Sequence, residues 1–503
     1  MKKMLSLMIS LCMLLVILPL PMAAADAADN AASRYEQALA LYYAEDYEAV
    51  LPLVEELTEE GIPEAMTMLG YLYGMGLGTE QNDEEMLKYY RMAAELGEPM
   101  AIYNLGCCYQ DGQGVEQNDE EMIRFFERAA DLGVPEAQYN LGYCYEFGGG
   151  VEKDYDKAFS YYQKAADQGL PNAMFAVGDA YFLGNGVKKD TDTAVEWYHK
   201  ALADGYEPDE TDIEHLKSCA DDGNAEAQNE LGKCYAMGIG VVQDDKEAVR
   251  YFRLAADQGF AKSQYNLGND YLYGVGVEQD TEKALEYFLS AAEQGLFQAQ
   301  SQLGYMYENG FGVEADPEKA VEYYQAAADQ GDAYAQNNLG NCYLTGRGVE
   351  KDIEKAVRYY QLAAEQGEPE ALNNLGCCYS DGTGVEQDYE KAMQYYQASA
   401  EQGSPNGIYN IGYCYYFGEG VKQDYDTALE YFRTAEEMGQ PNAMFMIGES
   451  YYEGKGSEKD PDQAAEWYLK ALRAGYVPDE QDQKHLSDLF SELYGLKLDF
   501  SAA

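Results

Sequence analysis

Residues 135–170 read PEAQYNLGYCYEFGGGVEKDYDKAFSYYQKAADQGL. Apolar and aromatic residues fall at helical spacing around Leu141, Cys144 and Tyr145, which predicts a helix ending at the Gly-x-Gly turn. The turn glycines allow backbone conformations closed to other residues. Asp154 then stands where a helix N-cap is needed, its carboxylate free to accept from a first-turn N–H. A second helix follows with an aromatic pair, Tyr161-Tyr162, then Ala165-Ala166, and Gly169 supplies a left-handed stop.

The same unit recurs along the chain. The glycine of a Leu/Ile/Val-Gly pair stands at Gly70, Gly106, Gly142 and Gly178, and again at Gly232, Gly268, Gly304, Gly340, Gly376, Gly412 and Gly448. Each step is 36 residues except the 54 between Gly178 and Gly232, where 18 residues, Tyr206–Gly223, are inserted. Pro317 and Pro461 directly follow Asp316 and Asp460, where proline suits the first helical position. A Tyr lies three residues after the glycine in all eleven units, and the aromatic pair is also in all eleven. A single helix pair cannot bury so apolar a face, whereas stacked pairs can. The expected fold is all-α: a right-handed α-solenoid of about eleven 36-residue helix-turn-helix repeats, with terminal caps and one internal 18-residue insertion.

The pattern A-x-x-x-L-G-x-x-Y-x-x-G-x-G-V-x-x-D-x-x-K-A-x-x-Y-Y-x-x-A-A-x-x-G resembles the Sel1-like repeat, a relative of the tetratricopeptide repeat, over Ile62–Gly475 apart from the insertion. Ser33–Gly61 resembles a shortened tetratricopeptide-type unit, Ala44-Glu45-Asp46 replacing the long turn. The expected organisation is a signal peptide at 1–25, a linker and capping helix pair at 26–61, and repeats one to four at 62–205. The insertion at 206–223, repeats five to eleven at 224–475 and a C-terminal cap at 476–503 complete it.

A longer duplication lies over the short one. A shift of 270 residues lays Pro171–Phe175 on Pro441–Phe445, Trp197 on Trp467, and GYEPDETDIEHL (Gly205–Leu216) on GYVPDEQDQKHL (Gly475–Leu486). The insertion is thus a copy of the C-terminal cap, with one helix expected near Asp209–Ala220. An unpaired helix between two-helix units is expected to bend or offset the array after Gly223.

Charge narrows the partners. With 34 Lys+Arg against 90 Asp+Glu the net charge is −56. Such a surface repels phosphate backbones and anionic lipid, which disfavours nucleic-acid and membrane-surface binding. It suits basic protein or peptide partners, or serves as a solvated acidic coat. At the N-terminus, Lys2-Lys3, the apolar run Met4–Leu18 and the small residues Ala23-Ala24-Ala25 read as an export signal. Cleavage removes two lysines and leaves a charge of −58. Export to the periplasm, the envelope or the medium is expected, with no transmembrane segment in the mature chain.

Chemistry-bearing constellations are few. The Gly-x-Gly turns lack the preceding strand of a dinucleotide site. Asp154/Asp156, Asp190/Asp192, Asp424/Asp426 and Asp460/Asp462 lack the rest of a calcium loop and read as caps with first-turn acids. Nine cysteines follow the signal, an odd number. Six share one repeat position: Cys108, Cys144, Cys234, Cys342, Cys378 and Cys414. Equivalent positions on stacked helices lie about 8–10 Å apart, beyond the roughly 7 Å of a disulfide. They read as small packing residues. His199, His215 and His485 are the whole histidine supply, and no nucleophile–base motif accompanies them. No cofactor, metal or catalytic residue is expected.

The resemblance to tetratricopeptide arrays implies a concave groove lined by first helices, where Asn bonds an extended ligand. The matching position, two before the glycine, is Asn104, Asn140, Asn266, Asn338, Asn374 and Asn410, with Tyr103, Tyr139, Tyr265 and Tyr409 one residue earlier. An Asn inside a helix costs propensity and so needs a reason. The alternative reason is hydrogen bonding between helices of the solenoid. The expected function is a non-enzymatic exported scaffold for protein or peptide partners. Self-assembly through the caps is the second expectation. Some exported Sel1-like proteins have been suggested to act on β-lactams or peptidoglycan, which makes an enzyme the third.

Overall fold

The structure, a computed structural model, describes residues 27–495. The export-signal reading lies outside those residues. Among the described residues there are 26 helices and no strand. Two helices, Ala27–Tyr43 and Tyr47–Glu59, precede eleven pairs of the form Pro135–Phe147 and Tyr155–Ala166. A lone helix, Glu210–Asp221, sits between the fourth and fifth pairs, and Glu480–Tyr494 follows the last. The chain divides into two compact units, one up to Tyr251 and one from Phe252 on. Both sides of Gly223 therefore fall in the first unit. Within each unit, a helix packs on its pair mate and on the first helix of the next pair, giving a layer of first helices and a layer of second helices.

Each sequence signal has a physical counterpart. Every first helix ends at a glycine in the left-handed region, Gly148 at φ 79° for example. The second turn glycine is needed for contact: a Cβ at Gly312 would stand 2.6 Å from the carbonyl oxygen of Thr281 in the preceding pair. N-cap aspartates accept as expected, Asp154 from the Lys157 N–H at 3.1 Å. The second aromatic of each pair fills the core, with Tyr162, Tyr198, Tyr324 and Tyr468 all buried. It lies flat against the Leu-Gly glycine: a Cβ at Gly304 would meet the Tyr324 ring at 2.5 Å. In the nine pairs without a tryptophan the first aromatic stacks on the tyrosine three residues after the Leu-Gly glycine, as in Tyr145–Tyr161 at 5.8 Å and 7°. Since aromatic burial dominates core energetics, these rings explain why the unit recurs with so little change.

Candidate functional site

The asparagine row joins pairs together. Asn140 Nδ2 donates to the Tyr103 hydroxyl at 3.2 Å. Asn374 Nδ2 donates to Asn337 Oδ1 at 2.9 Å, and Asn410 Nδ2 to Asn373 Oδ1 at 2.7 Å. In each case the acceptor lies on the preceding first helix, so the amide bridges two stacked repeats. Asn104 and Asn140 are buried, whereas Asn266, Asn338, Asn374 and Asn410 are half-buried. The tyrosine row packs on the core ring of its own pair: Tyr103 on Phe126 at 5.7 Å, Tyr139 on Tyr162 at 5.5 Å, Tyr265 on Phe288 and Tyr409 on Phe432 at 5.8 Å. Tyr103 is buried, while Tyr139, Tyr265 and Tyr409 keep part of their surface in solvent. Solvent reaches seven of the ten residues, and Tyr103, Asn104 and Asn140 are sealed inside.

A second polar layer was not anticipated from the sequence. Where the core ring is a tyrosine, its hydroxyl needs an acceptor, because an unpaired buried hydroxyl costs about 1–3 kcal/mol. In six of the seven such pairs the residue one or four places after the Leu-Gly glycine supplies it, the Tyr90 hydroxyl being the exception. Tyr162 donates to Glu146, Tyr198 to Asp179, Tyr324 to Glu308, Tyr360 to Asn341 and Tyr468 to Glu449, all within 2.9 Å. Tyr396 donates to Cys377 Sγ at 3.6 Å. The counterpart of Cys377 is Cys107, whose pair carries Phe126 and so has no hydroxyl to satisfy. The co-occurrence of hydroxyl and acceptor is the signal that would have revealed this layer.

Other side chains of the first-helix layer remain in solvent. Phe147 and Phe417 are exposed, and Tyr143 and Tyr413 lie half-buried beside them. Carboxylates lie near both: burial, with Glu146, raises the Tyr143 hydroxyl pKa. Asp212, Glu146 and Asp179 stand near enough to Tyr139 to add to the effect of burial in raising its hydroxyl pKa. Burial, with Glu419 and Asp381, does the same to Tyr413. The acids also act on one another. Burial foremost, and Asp179 as well, push Glu146 up, and burial together with Asp381 pushes Glu419 up.

The histidines and cysteines serve the structure. Glu230 occupies the asparagine position of the fifth repeat, is buried, and pairs with His199 at 3.0 Å and Lys233 at 2.5 Å. His215 Nδ1 meets Asp179 Oδ1 at 2.8 Å, and His485 Nε2 lies 3.5 Å from Glu449. The six cysteines of the shared position are buried. Burial pushes the thiols up, Cys108 and Cys144 to about 12 and Cys378 to about 11. They stay protonated at neutral pH and are poor nucleophiles and metal ligands. Among the described residues no group of three His, Cys, Asp or Glu side chains is placed to hold a metal ion. None of the helices described is long and apolar enough to cross a membrane.

Comparison with known proteins agrees with the repeat count. The Sel1 repeat family matches eleven times, at 63–98, 99–134, 135–170, 171–206, 225–260, 261–296, 297–332, 333–368, 369–404, 405–440 and 441–476. Among solved structures, a protective antigen of uropathogenic Escherichia coli with an SLR fold is 32% identical. The match covers 90% of this chain and 98% of the antigen, with a TM-score of 0.49. A Sel1 repeat protein from Oxalobacter formigenes is also 32% identical, over 46% of this chain and 92% of that one, with a TM-score of 0.44. No curated protein matches.

Proposed function

The chain belongs to the Sel1 repeat family, and from that premise we propose that it is a non-enzymatic scaffold that holds protein or peptide partners on its first-helix layer. The observation carrying this reading is the contrast between the two polar rows. Three of the six asparagines are spent on joining repeats, and the same helices leave aromatic side chains in solvent with carboxylates near them. Exposed aromatics with few competing intramolecular partners favour polypeptide recognition. A charge of −56 selects against nucleic acid and for basic partners. Protonated thiols and histidines committed to carboxylates leave no activated nucleophile, which supports a binding role over catalysis.

We further propose that the protein acts after export, on the strength of Lys2-Lys3, the apolar run and the alanine triplet. The test is direct binding. A partner captured by the mature chain in its native setting is purified and titrated against wild type and against a Phe147→Ala/Phe417→Ala variant. Weakened binding by the variant, with unchanged helix content, is expected. Equal binding would move the interaction off this layer. Turnover of a β-lactam or of peptidoglycan by purified protein would overturn the non-enzymatic reading.

A further inference from the structure

The two units carry the same aromatic step. In the first, Tyr143 and Phe147 sit one turn apart on the helix Pro135–Phe147, their rings 4.5 Å apart at 41°. In the second, Tyr413 and Phe417 repeat the arrangement on Pro405–Phe417 at 4.4 Å and 43°. The 270-residue shift relates the pairs residue by residue. Phe147 is 61% exposed and Phe417 49%.

The acids around the steps come from different places. Beside the first stand Glu146, whose charge acts on Tyr143, and Asp179, whose charge acts on Glu146. Beside the second stand Asp381 and Glu419. The counterpart of Glu146 is Tyr416, and that of Glu419 is Gly149. The counterparts of Asp179 and Asp381 are Glu449 and Asp111, so those acids were kept through the duplication, whereas Glu146 and Glu419 each belong to one copy alone. Nearby cations are Lys153, within the field of Glu146, His215, which binds Asp179, and at the second step Lys455, which lies over the Tyr416 ring beside Phe417.

A half-exposed aromatic pair beside two carboxylates matches one kind of guest. A guanidinium stacks its flat face on a ring and donates to carboxylates from its edge, and an ammonium does the first part less well. We propose that each step is a docking station for an arginine-bearing segment of a partner protein, so that one chain holds two such segments, one on each unit. This rests on the scaffold reading and adds the partner's chemistry and the number of sites.

The test is calorimetric titration of the full-length mature chain with acetyl-Gly-Arg-Gly-Arg-Gly-amide at 0.15 M salt. Two equal sites per chain are expected. Tyr143→Ala/Phe147→Ala should remove one site and Tyr413→Ala/Phe417→Ala the other. The quadruple variant should bind at least tenfold more weakly, as should wild type offered the citrulline peptide, which keeps the shape without the charge. Should the core suffer from losing the half-buried tyrosines, Phe147→Ala and Phe417→Ala alone give the same readout with smaller steps. Stoichiometry well above two, unmoved by the quadruple change, would mean diffuse attraction to an acidic coat and would overturn the stations. A native partner complex that survives the quadruple variant would overturn the stations while leaving the scaffold reading intact. Absence of any polypeptide partner would overturn the scaffold reading itself.

Discussion

One segment occurs twice in this molecule, once as a terminus and once as a connector. The helices Glu210–Asp221 and Glu480–Tyr494 start alike. Asp209 with Asp212, and Asp479 with Asp482, form matching capping boxes. Tyr206 donates to Asp212 at 2.7 Å and stacks on Phe175; Tyr476 donates to Asp482 at 2.6 Å and stacks on Phe445. Leu216 and Leu486 are both buried. The copies diverge on the face that a following repeat needs. Ile213, Cys219 and Ala220 of the connector stand where the terminus has Gln483, Leu489 and Phe490.

The small side chains at Cys219 and Ala220 let the next first helix, Ala225–Met237, settle with Ala227, Leu231 and Cys234 in the same core. Ile213 and Pro208 meet the next repeat's turn: a Cβ at Gly240 would lie 2.7 Å from the Pro208 carbonyl oxygen and 3.0 Å from Ile213. The insertion thus does for the fifth repeat what a second helix does elsewhere. At the terminus, Leu489 and Phe490 turn back into the last core, and Gln483 bonds the Pro478 carbonyl at 2.9 Å. A cap becomes a connector by trading large apolar residues for small ones at its end and a polar residue for an apolar one on its outer face.

Exchanging these residues tests that conclusion. The largest effect is expected from Phe490→Ala, which empties the terminal core. Denaturant unfolding should show a loss of about 3–5 kcal/mol in the second unit and little change in the first. Ala220→Phe, the reverse trade, crowds the connector against Ala225–Met237. Overpacking should cost about 1–3 kcal/mol, read as faster hydrogen exchange in the fifth repeat. If Ala220→Phe is neutral, residue size does not decide between cap and connector. Asp209→Ala and Asp479→Ala should each cost about 1 kcal/mol, since the capping boxes match. Unequal losses would show that the two starts are not equivalent.

The smallest effect is a pH dependence of the connector. Its hydrogen bond to Asp179, strengthened by the charges of Asp179, Asp212 and Glu214, raises His215 against the opposing effect of burial. That stabilisation is fully present below the free-histidine range, near 6.5, and is lost as pH rises through the higher folded value. Burial pushes Asp212 up from 3.8 to about 6 despite the bonds from Asp209 and Tyr206. A raised carboxylate acts in the same sense, with stability falling as pH rises from about 4 to about 6. Exchange protection of Glu210–Asp221 should therefore grow as pH drops from 8 to 5, after correction for intrinsic exchange. His215→Gln should flatten the upper part of that rise. A profile unchanged by the substitution would remove His215 from the account.

Much of the fold was legible because backbone demands are local. A left-handed glycine, an aspartate N-cap and a ring against a glycine each leave a mark at a fixed position, and eleven copies make the marks unmistakable. The candidate site was legible only in part. The asparagine row was seen, but its orientation depends on what lies 37 residues earlier, on the preceding first helix. Burial decides whether that amide faces a ligand or a neighbour. Asn140 and Asn410 found neighbours. The tyrosine acceptors went unseen because Glu146, Asp179, Asn341 and Cys377 differ in type and share only a role. Periodic residue identity reveals packing, whereas periodic function carried by changing residues does not.

The central claim is that polypeptide partners lie on the first-helix layer of both units. Site-specific photocrosslinking tests it most directly. A benzophenone side chain is placed at Phe147 or Phe417 on that layer, or at exposed Leu132 or Leu362 at the ends of second helices. The protein is then irradiated in its native setting. The account predicts adducts to the same partner polypeptide from 147 and 417, at tryptic peptides rich in arginine, and background levels from 132 and 362. Adducts from the second-helix positions with none from the first would contradict it.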